Sequence, residues 1–164
     1  MGTKRLVLIA LLTSLALALQ LIERSITIPI LVPGVKLGLA NVISLLAILL
    51  LGLKDAFLIV ILRCLLGALF GGNPISFLFS ITGGLLSTLF MSLLWKKFSK
   101  YISIINISLV GAVCHNIGQL VIASIIVKDL RIYVYLPVLL LSGLITGYIT
   151  GVIASRSYAM LKSR

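Results

Sequence analysis

Six long apolar stretches, separated by short polar segments, occupy almost the whole chain of 164 residues. They cover residues 6–22, 37–53, 56–70, 75–94, 104–127 and 133–154. A helix that crosses the hydrocarbon core of a bilayer needs about 20 apolar residues, with a range of about 17–25. These stretches are too long for barrel strands, and a helix satisfies its own backbone hydrogen bonds inside lipid. The pattern therefore predicts an all-α integral membrane protein, a six-helix bundle that forms one domain over residues 1–164.

Composition supports this interpretation, and the distribution of Lys and Arg residues predicts how the chain is oriented in the membrane. Hydrophobic residues make up 61% of the chain and charged residues 10%, against about 25% charged residues in soluble domains. With the N-terminus in the cytoplasm, nine Lys and Arg residues flank the spans on that side and four on the other. This positive-inside bias predicts that both termini are cytoplasmic. We therefore interpret the net charge of +11 as a topology signal and expect no nucleic-acid partner.

The residues needed for most enzyme chemistry are missing. The three acidic residues, Glu23, Asp55 and Asp129, are far apart in the chain and lie at membrane boundaries, so they cannot form the carboxylate cluster of a magnesium site. One His and two separated Cys residues do not suggest a zinc site. No phosphate-binding GxxxxGK[ST] loop is present. We expect a protein that is not an enzyme, without catalytic residues, metal ligands or a cofactor, and without an ATPase of its own.

Arg63 is the most informative polar residue, because it lies near the middle of the third stretch. A charge at the centre of a membrane helix costs about 2.5–3.5 kcal/mol on insertion scales. Arg63 is a candidate for binding an anionic group of a ligand. The alternative is a structural role, in which it extends to the outer interface or pairs with Glu23 or with helix carbonyls.

A second polar cluster, His115, Asn116 and Gln119, lies in the fifth stretch. Helical spacing places His115 and Gln119 on one face. The cluster is a candidate ligand shell, and the alternative is hydrogen bonding that only holds helices together.

Two outer loops add further candidates. The paired prolines Pro29 and Pro33 make the segment before the second stretch rigid enough to close over a site, with Lys36 on that loop and Asn41 one turn into the helix. The loop between the third and fourth stretches contains Asn73. For both loops the alternative is ordinary turn chemistry.

The first stretch has small residues at every fourth position, Ala10, Ser14 and Ala18. Such a stripe lets another helix approach closely, either within the chain or from a partner protein. Although Lys4 and Arg5 precede this stretch as in a signal peptide, the apolar run continues to Ile22, and we expect it to be retained as a span.

Three motifs together resemble a known family. They are PGVKLGLAN at residues 33–41, GGNPISF at residues 71–77 and HNIGQ at residues 115–119. They resemble the Gx transporter family, also labelled heptaprenyl diphosphate synthase component I, which is similar to the S components of energy-coupling factor transporters. The resemblance covers nearly the whole chain. It implies a six-helix substrate-binding subunit in which small residues of the first helix contact a coupling subunit, as Ala10, Ser14 and Ala18 could.

The leading hypothesis is therefore a subunit in the bacterial cytoplasmic membrane that binds a small molecule from outside, energised by separate coupling and ATPase subunits. The expected ligand shell consists of Lys36, Asn41, Arg63, Asn73, His115, Asn116 and Gln119. The rival hypothesis, which rests on related resemblances, is a non-enzymatic membrane component of quinone- or flavin-linked extracellular electron transfer, or an accessory of polyprenyl diphosphate synthesis. Its ligand would be a quinone or an isoprenoid in a pocket lined mainly by Leu, Ile and Phe.

Overall fold

The computed structural model describes residues 2–25, 38–71 and 74–163. This part of the chain forms six α-helices and one short 3-10 helix. The α-helices are α1 (Thr3–Ser25), α2 (Leu39–Leu51), α3 (Leu53–Gly71), α4 (Pro74–Phe98), α5 (Ile104–Val127) and α6 (Leu136–Lys162), and the 3-10 helix covers Leu130–Tyr135. The predicted all-α, six-helix architecture is confirmed.

Length and composition make four of these helical segments long and apolar enough to cross a membrane. They are Thr3–Glu23, Pro74–Phe98, Ile104–Val127 and Leu130–Lys162. The helix α2 has only 13 residues, and α3 carries Lys54, Asp55 and Arg63 within its 19 residues. The neighbours of α2 cover most of this helix, whereas α3 has exposed apolar side chains, among them Leu65 and Leu69.

Several helix boundaries differ from those expected from the sequence: α4 ends at Phe98 and α6 at Lys162, beyond the expected residues 94 and 154, and the starts of α3 and α6 also differ. The break between α2 and α3 is at Gly52, which has a positive φ of 87°, whereas the sequence had suggested Lys54 and Asp55. Both charged residues instead lie in the first turn of α3, where the helix dipole favours the carboxylate of Asp55. At the other boundary, the 3-10 turn delays the start of α6 from the expected Tyr133 to Leu136.

The shortest α-helix, α2, is the innermost one. It packs against α1, α3, α4 and α6, and most of its residues are buried, including Leu45 and Ala47 with no exposed surface. Apart from Asn41 and Ser44, its sequence is apolar on every side, which is the pattern of a helix buried all round. The fifth helix, α5, packs mainly between α4 and α6.

The apolar core lies towards the end of the bundle that contains the N-terminus. It includes Ile9 and Leu12 early in α1, Leu49 late in α2, Ile59 in α3 and Ile107 early in α5. An interhelical ion pair, described below, lies at this same end. Buried polar side chains occur at both ends of the bundle, and those at the opposite end include Gln20, Glu23 and Gln119.

Small residues bring α5 and α6 close together. Gly147 and Gly151 of α6 lie against the backbone of α5, at Leu109 and Ile105 respectively, so that an added Cβ atom would come within 3.0 Å of it. Such repeats of glycine at four-residue spacing allow close packing of membrane helices. A buried hydrogen bond of 2.8 Å between the hydroxyls of Ser108 and Thr150 adds a polar contact at the same interface.

Candidate functional site

Polar side chains from five helices line a pocket at the end of the bundle away from the N-terminus. Its volume is about 310 Å³, including the part that is open to the surroundings. The lining residues are Gln20 and Glu23 of α1, Gly38, Ala40 and Asn41 at the start of α2, Arg63 of α3, Ser80 of α4, and His115 and Gln119 of α5.

Chain direction explains why these residues meet. The ends of α1 and α3 and the beginnings of α2 and α4 all lie at the same end of an up-and-down bundle. Gln20 and Glu23 are three residues apart, so they share one face of α1. The sequence separates the lining residues by up to about a hundred positions, but the topology places them around one opening.

Arg63 is the central charged group of the pocket. Only 3% of its surface is exposed. Its Nη1 donates to Oε1 of Gln20 at 3.3 Å and its Nη2 donates to Oδ1 of Asn41 at 3.5 Å. Both distances exceed the usual range of about 2.7–3.2 Å. Among the residues that the structure describes, Nε of Arg63 has no hydrogen-bond partner. The guanidinium therefore has capacity for a further, stronger acceptor.

Gln20 and Glu23 are site residues that the sequence analysis did not select for the ligand shell. Gln20 is 6% exposed and Glu23 is 9% exposed. The sequence did contain a signal, because Gln20 is the one amide in the first apolar stretch and shares a helix face with an acid. The approach of Gln20 to α3 depends on Gly67, where an added Cβ atom would lie 2.7 Å from Nε2 of Gln20.

Glu23 links the end of α1 to the beginning of α2. Its Oε1 accepts a hydrogen bond of 2.5 Å from the backbone N–H of Gly38. Gly38 has a positive φ of 71° at the N-cap position of α2, a conformation that favours glycine. This contact fixes the Glu23 carboxylate beside Asn41 at the pocket.

His115 and Gln119 face the pocket together, as helical spacing had suggested. Their Nε2 atoms are 3.1 Å apart, which indicates a hydrogen bond whose direction depends on the tautomer of His115. Gly83 of α4 makes room for this pair, because an added Cβ atom would lie 2.9 Å from both the ring and the carbonyl oxygen of His115.

Asn116 has a different location from its neighbour. Its Nδ2 donates to the carbonyl oxygen of Leu139 on α6 at 2.6 Å. It also lies against Gly143, where an added Cβ atom would be 2.7 Å from Nδ2. The structure therefore places Asn116 at the interface of α5 and α6 and not among the residues that line the pocket.

The remaining candidates divide into two groups. Lys36 and Asn73 lie outside the described residues. Ala10, Ser14 and Ala18 are exposed on one side of α1, while the other side of this helix, including Leu12 and Ala16, is buried against the bundle.

The electrostatics of the pocket combine one cation and one anion. Among its described lining residues, Arg63 and Glu23 carry opposite formal charges, and Asn41, Ser80 and Gln119 are neutral hydrogen-bonding groups. Such a surface can hold a small polar molecule by charge and orient it by hydrogen bonds.

Comparisons with known proteins agree with this architecture. A family model described as heptaprenyl diphosphate synthase component I matches residues 12–157. In a comparison of folds, the S component of a bacterial ECF transporter superposes with a TM-score of 0.69 at 23% sequence identity, covering 98% of this chain and 94% of that one. At this identity the likeness establishes the fold. Comparison with curated proteins gives no significant match.

Proposed function

The chain belongs to the heptaprenyl diphosphate synthase component I family and shares its fold with a transporter S component, and from this premise we propose that it is a substrate-binding subunit for uptake of a small molecule. Separate coupling and ATPase subunits supply the energy. The protein acts in the bacterial cytoplasmic membrane and performs no catalysis itself.

One observation carries the proposal, namely the buried Arg63 in a pocket lined by polar groups. A guanidinium has five N–H donors, and two of those of Arg63 make only long contacts to neutral amide oxygens. Burial of a charge is expensive unless the charge is paired and hydrogen-bonded. An anionic group of a ligand would supply the missing acceptor, and this explains why an arginine is retained at this depth of the bundle.

The charge distribution supports an outward-facing pocket. The opposite end of the bundle exposes Lys4, Lys54, Lys96, Lys97 and Arg156, which fits the cytoplasmic side under the positive-inside rule. With this orientation the pocket opens near the outer surface, where it can capture a solute.

The exposed face of α1 supports a partner at this helix. Ala10, Ser14 and Ala18 are small, lie on one side and are exposed. We assign this face to the membrane-embedded coupling subunit, because small residues permit close approach of a second helix.

The pocket lining favours transport of a polar solute over the rival role in quinone or polyprenyl metabolism. A quinone or isoprenoid site would present mainly Leu, Ile and Phe to its ligand. The described lining of this pocket instead has Ala40 as its one apolar side chain. The word synthase in the name of the family does not by itself give any residue of this chain a catalytic role.

Native mass spectrometry of the gently solubilised protein from its own host tests the proposal. We expect a water-soluble small molecule bound to the wild-type protein together with coupling subunits. Arg63→Ala should remove the small molecule while the protein stays folded, since a charge-assisted hydrogen bond contributes about 1.5–3 kcal/mol, equivalent to about a tenfold to hundredfold change in affinity.

Arg131→Ala is the matched control, because it removes the same charge from an exposed position in the 3-10 helix. It should leave the bound molecule in place. A co-purifying quinone or polyprenyl lipid with a redox or synthase partner would contradict the transport proposal, as would a ligand retained equally by Arg63→Ala.

A further inference from the structure

Two side-chain amides flank the guanidinium of Arg63 and face it with their oxygen atoms. We propose that Gln20, Arg63 and Asn41 form a subsite for a carboxylate group, to which the two amides donate N–H bonds beside the guanidinium. This inference rests on the proposed function and adds to it the chemical class of the solute and a role for each amide.

The guanidinium determines which way each amide is turned. Oε1 of Gln20 accepts from Nη1 of Arg63 at 3.3 Å, and Oδ1 of Asn41 accepts from Nη2 at 3.5 Å. A guanidinium has N–H donors and no acceptor, so a reversed amide would place donors against donors. Each amide therefore directs its NH2 group away from Arg63, and all three residues line the pocket.

Two buried N–H groups of this subsite have no acceptor within the described part of the chain. They are Nε2 of Gln20 and Nε of Arg63, on side chains that are 6% and 3% exposed. Nε2 of Gln20 lies beside Gly67 of α3, which has no side chain that could accept a hydrogen bond. Burial of a donor without an acceptor is unfavourable. A ligand group with several acceptor atoms would supply what both donors lack.

Charge and hydrogen-bonding capacity favour a carboxylate as this group. A carboxylate has two oxygens with about four lone-pair sites and no donor when it is ionised. Its single negative charge matches Arg63, the one Lys or Arg residue among the described lining residues. A phosphate monoester carries a charge of about −1.5 to −2 at pH 7, which one guanidinium does not balance. An ammonium group has only donors, so it would meet donors at this subsite.

The carboxylate of Glu23 lines the same pocket but is not part of the subsite. Its Oε1 accepts from the backbone N–H of Gly38, which ties it to the start of α2. The side-chain hydrogen bonds of Arg63 to described residues go to Gln20 and Asn41.

Thermal unfolding of the full-length protein in detergent tests the subsite, with acetate as the probe. Acetate should raise the unfolding temperature above its value in chloride at equal ionic strength, because a ligand that binds the folded state stabilises it. Acetamide, which is uncharged and adds a donor, should not. This difference should vanish in Arg63→Ala, whereas a general effect of acetate on the protein surface would persist there.

Gln20→Glu provides the sharpest variant, because it places a carboxylate where the amide oxygen accepts from Nη1 of Arg63. The chain then carries its own substitute for the ligand group. We expect a higher unfolding temperature than in the wild-type protein without acetate, and no further rise with acetate. A lower unfolding temperature, or a rise with acetate as large as in the wild-type protein, would contradict the inference.

Gln20→Met is the matched control, because it keeps a side chain of similar length without an amide. It should lower the affinity for acetate at least about tenfold without raising the unfolding temperature. Unchanged affinity would show that Gln20 does not donate to the ligand. If Gln20→Glu does not fold, the probes on the wild-type protein and on Gln20→Met decide the question.

The outcomes distinguish this inference from the proposed function. If chloride stabilises the wild-type protein as much as acetate does, or if methylphosphonate stabilises it more, the carboxylate class is overturned. The transport proposal still stands in that case if the molecule that co-purifies with the protein depends on Arg63. If no bound solute depends on Arg63, the transport proposal fails as well.

Discussion

Gly84 of α4 lies directly against the guanidinium of Arg63 on α3. A Cβ atom on Gly84 would be 3.2 Å from Nη2 of Arg63 and 2.8 Å from Cγ1 of Val60. The adjacent Gly83 has the same relation to His115. The Gly83-Gly84 pair therefore allows α4 to pack closely against both α3 and α5 at the level of the pocket, so tight helix packing and the site depend on the same two residues.

Gly84→Ala should weaken both the fold and ligand binding. The added methyl group displaces Val60 and the guanidinium of Arg63, and overpacking of this kind costs about 1–3 kcal/mol. Thermal unfolding and ligand binding in detergent measure the two effects. Gly143→Ala is the matched control, because its methyl group would meet Asn116 at the interface of α5 and α6. It should lower stability but leave affinity unchanged, and equal losses of affinity in both variants would contradict the role of Gly84.

Substitutions of Asn116 and Gln119, two polar residues of α5, should differ in their effects on stability and on ligand affinity. Asn116→Ala removes a hydrogen bond to the carbonyl oxygen of Leu139 and should destabilise the protein by about 0.5–1.5 kcal/mol without changing ligand affinity. Gln119→Ala removes a pocket residue and the contact with His115, so it should reduce affinity by more than it reduces stability. Parallel unfolding and binding measurements on the two variants check this. Loss of ligand binding in Asn116→Ala would place that residue in the ligand shell after all.

Helix positions were readable from the sequence because lipid imposes a simple length rule. Residues 104–127 were expected to form the fifth helix, and α5 covers Ile104–Val127. The shared face of His115 and Gln119 also followed from helical spacing alone, and the two side chains are within hydrogen-bonding distance. The 3-10 turn before α6 was not anticipated, because its apolar residues continue the pattern of the span that follows.

Which residues come together to line the pocket was harder to predict from the sequence. Periodicity shows which residues share a face of one helix, but it does not show which helix that face meets. The sequence led to Glu23 as an acid at a membrane boundary and as a structural partner of Arg63, and it did not lead to Gln20. Asn116 differs from His115 by one position, about 100° around a helix with 3.6 residues per turn, and this rotation directs it towards α6.

The ion pair between Arg5 and Asp55 should stabilise the bundle at the end opposite the pocket. Nε of Arg5 is 2.6 Å from Oδ2 of Asp55, and the side chain of Asp55 is 5% exposed whereas that of Arg5 is 49% exposed. Asp55→Asn should lower the unfolding temperature in detergent without changing ligand affinity. Because Arg5 is half exposed, added salt should reduce the difference between wild type and variant.

A double-mutant cycle checks that this effect comes from the pair. Arg5→Gln combined with Asp55→Asn should destabilise the protein by less than the sum of the single substitutions. Lys4→Gln is the control, since Lys4 is an adjacent exposed cation that is not a member of this ion pair. Additive effects of the two substitutions would show that the residues act independently.

Enlarging the exposed small residues of α1 should disrupt partner binding and leave the ligand pocket intact. Ala18→Leu and Ser14→Leu place bulky side chains on the exposed face of α1. Because both residues are exposed, the larger side chains should not disturb the packing of the core. We therefore expect unchanged stability and ligand affinity but loss of the coupling subunit on co-purification, with loss of uptake in cells. Ala159→Leu makes the same change at an exposed position on α6 and should retain the partner. If the α1 variants still co-purify with the coupling subunit, the contact lies on another helix, and if they unfold, the stripe serves packing within the chain.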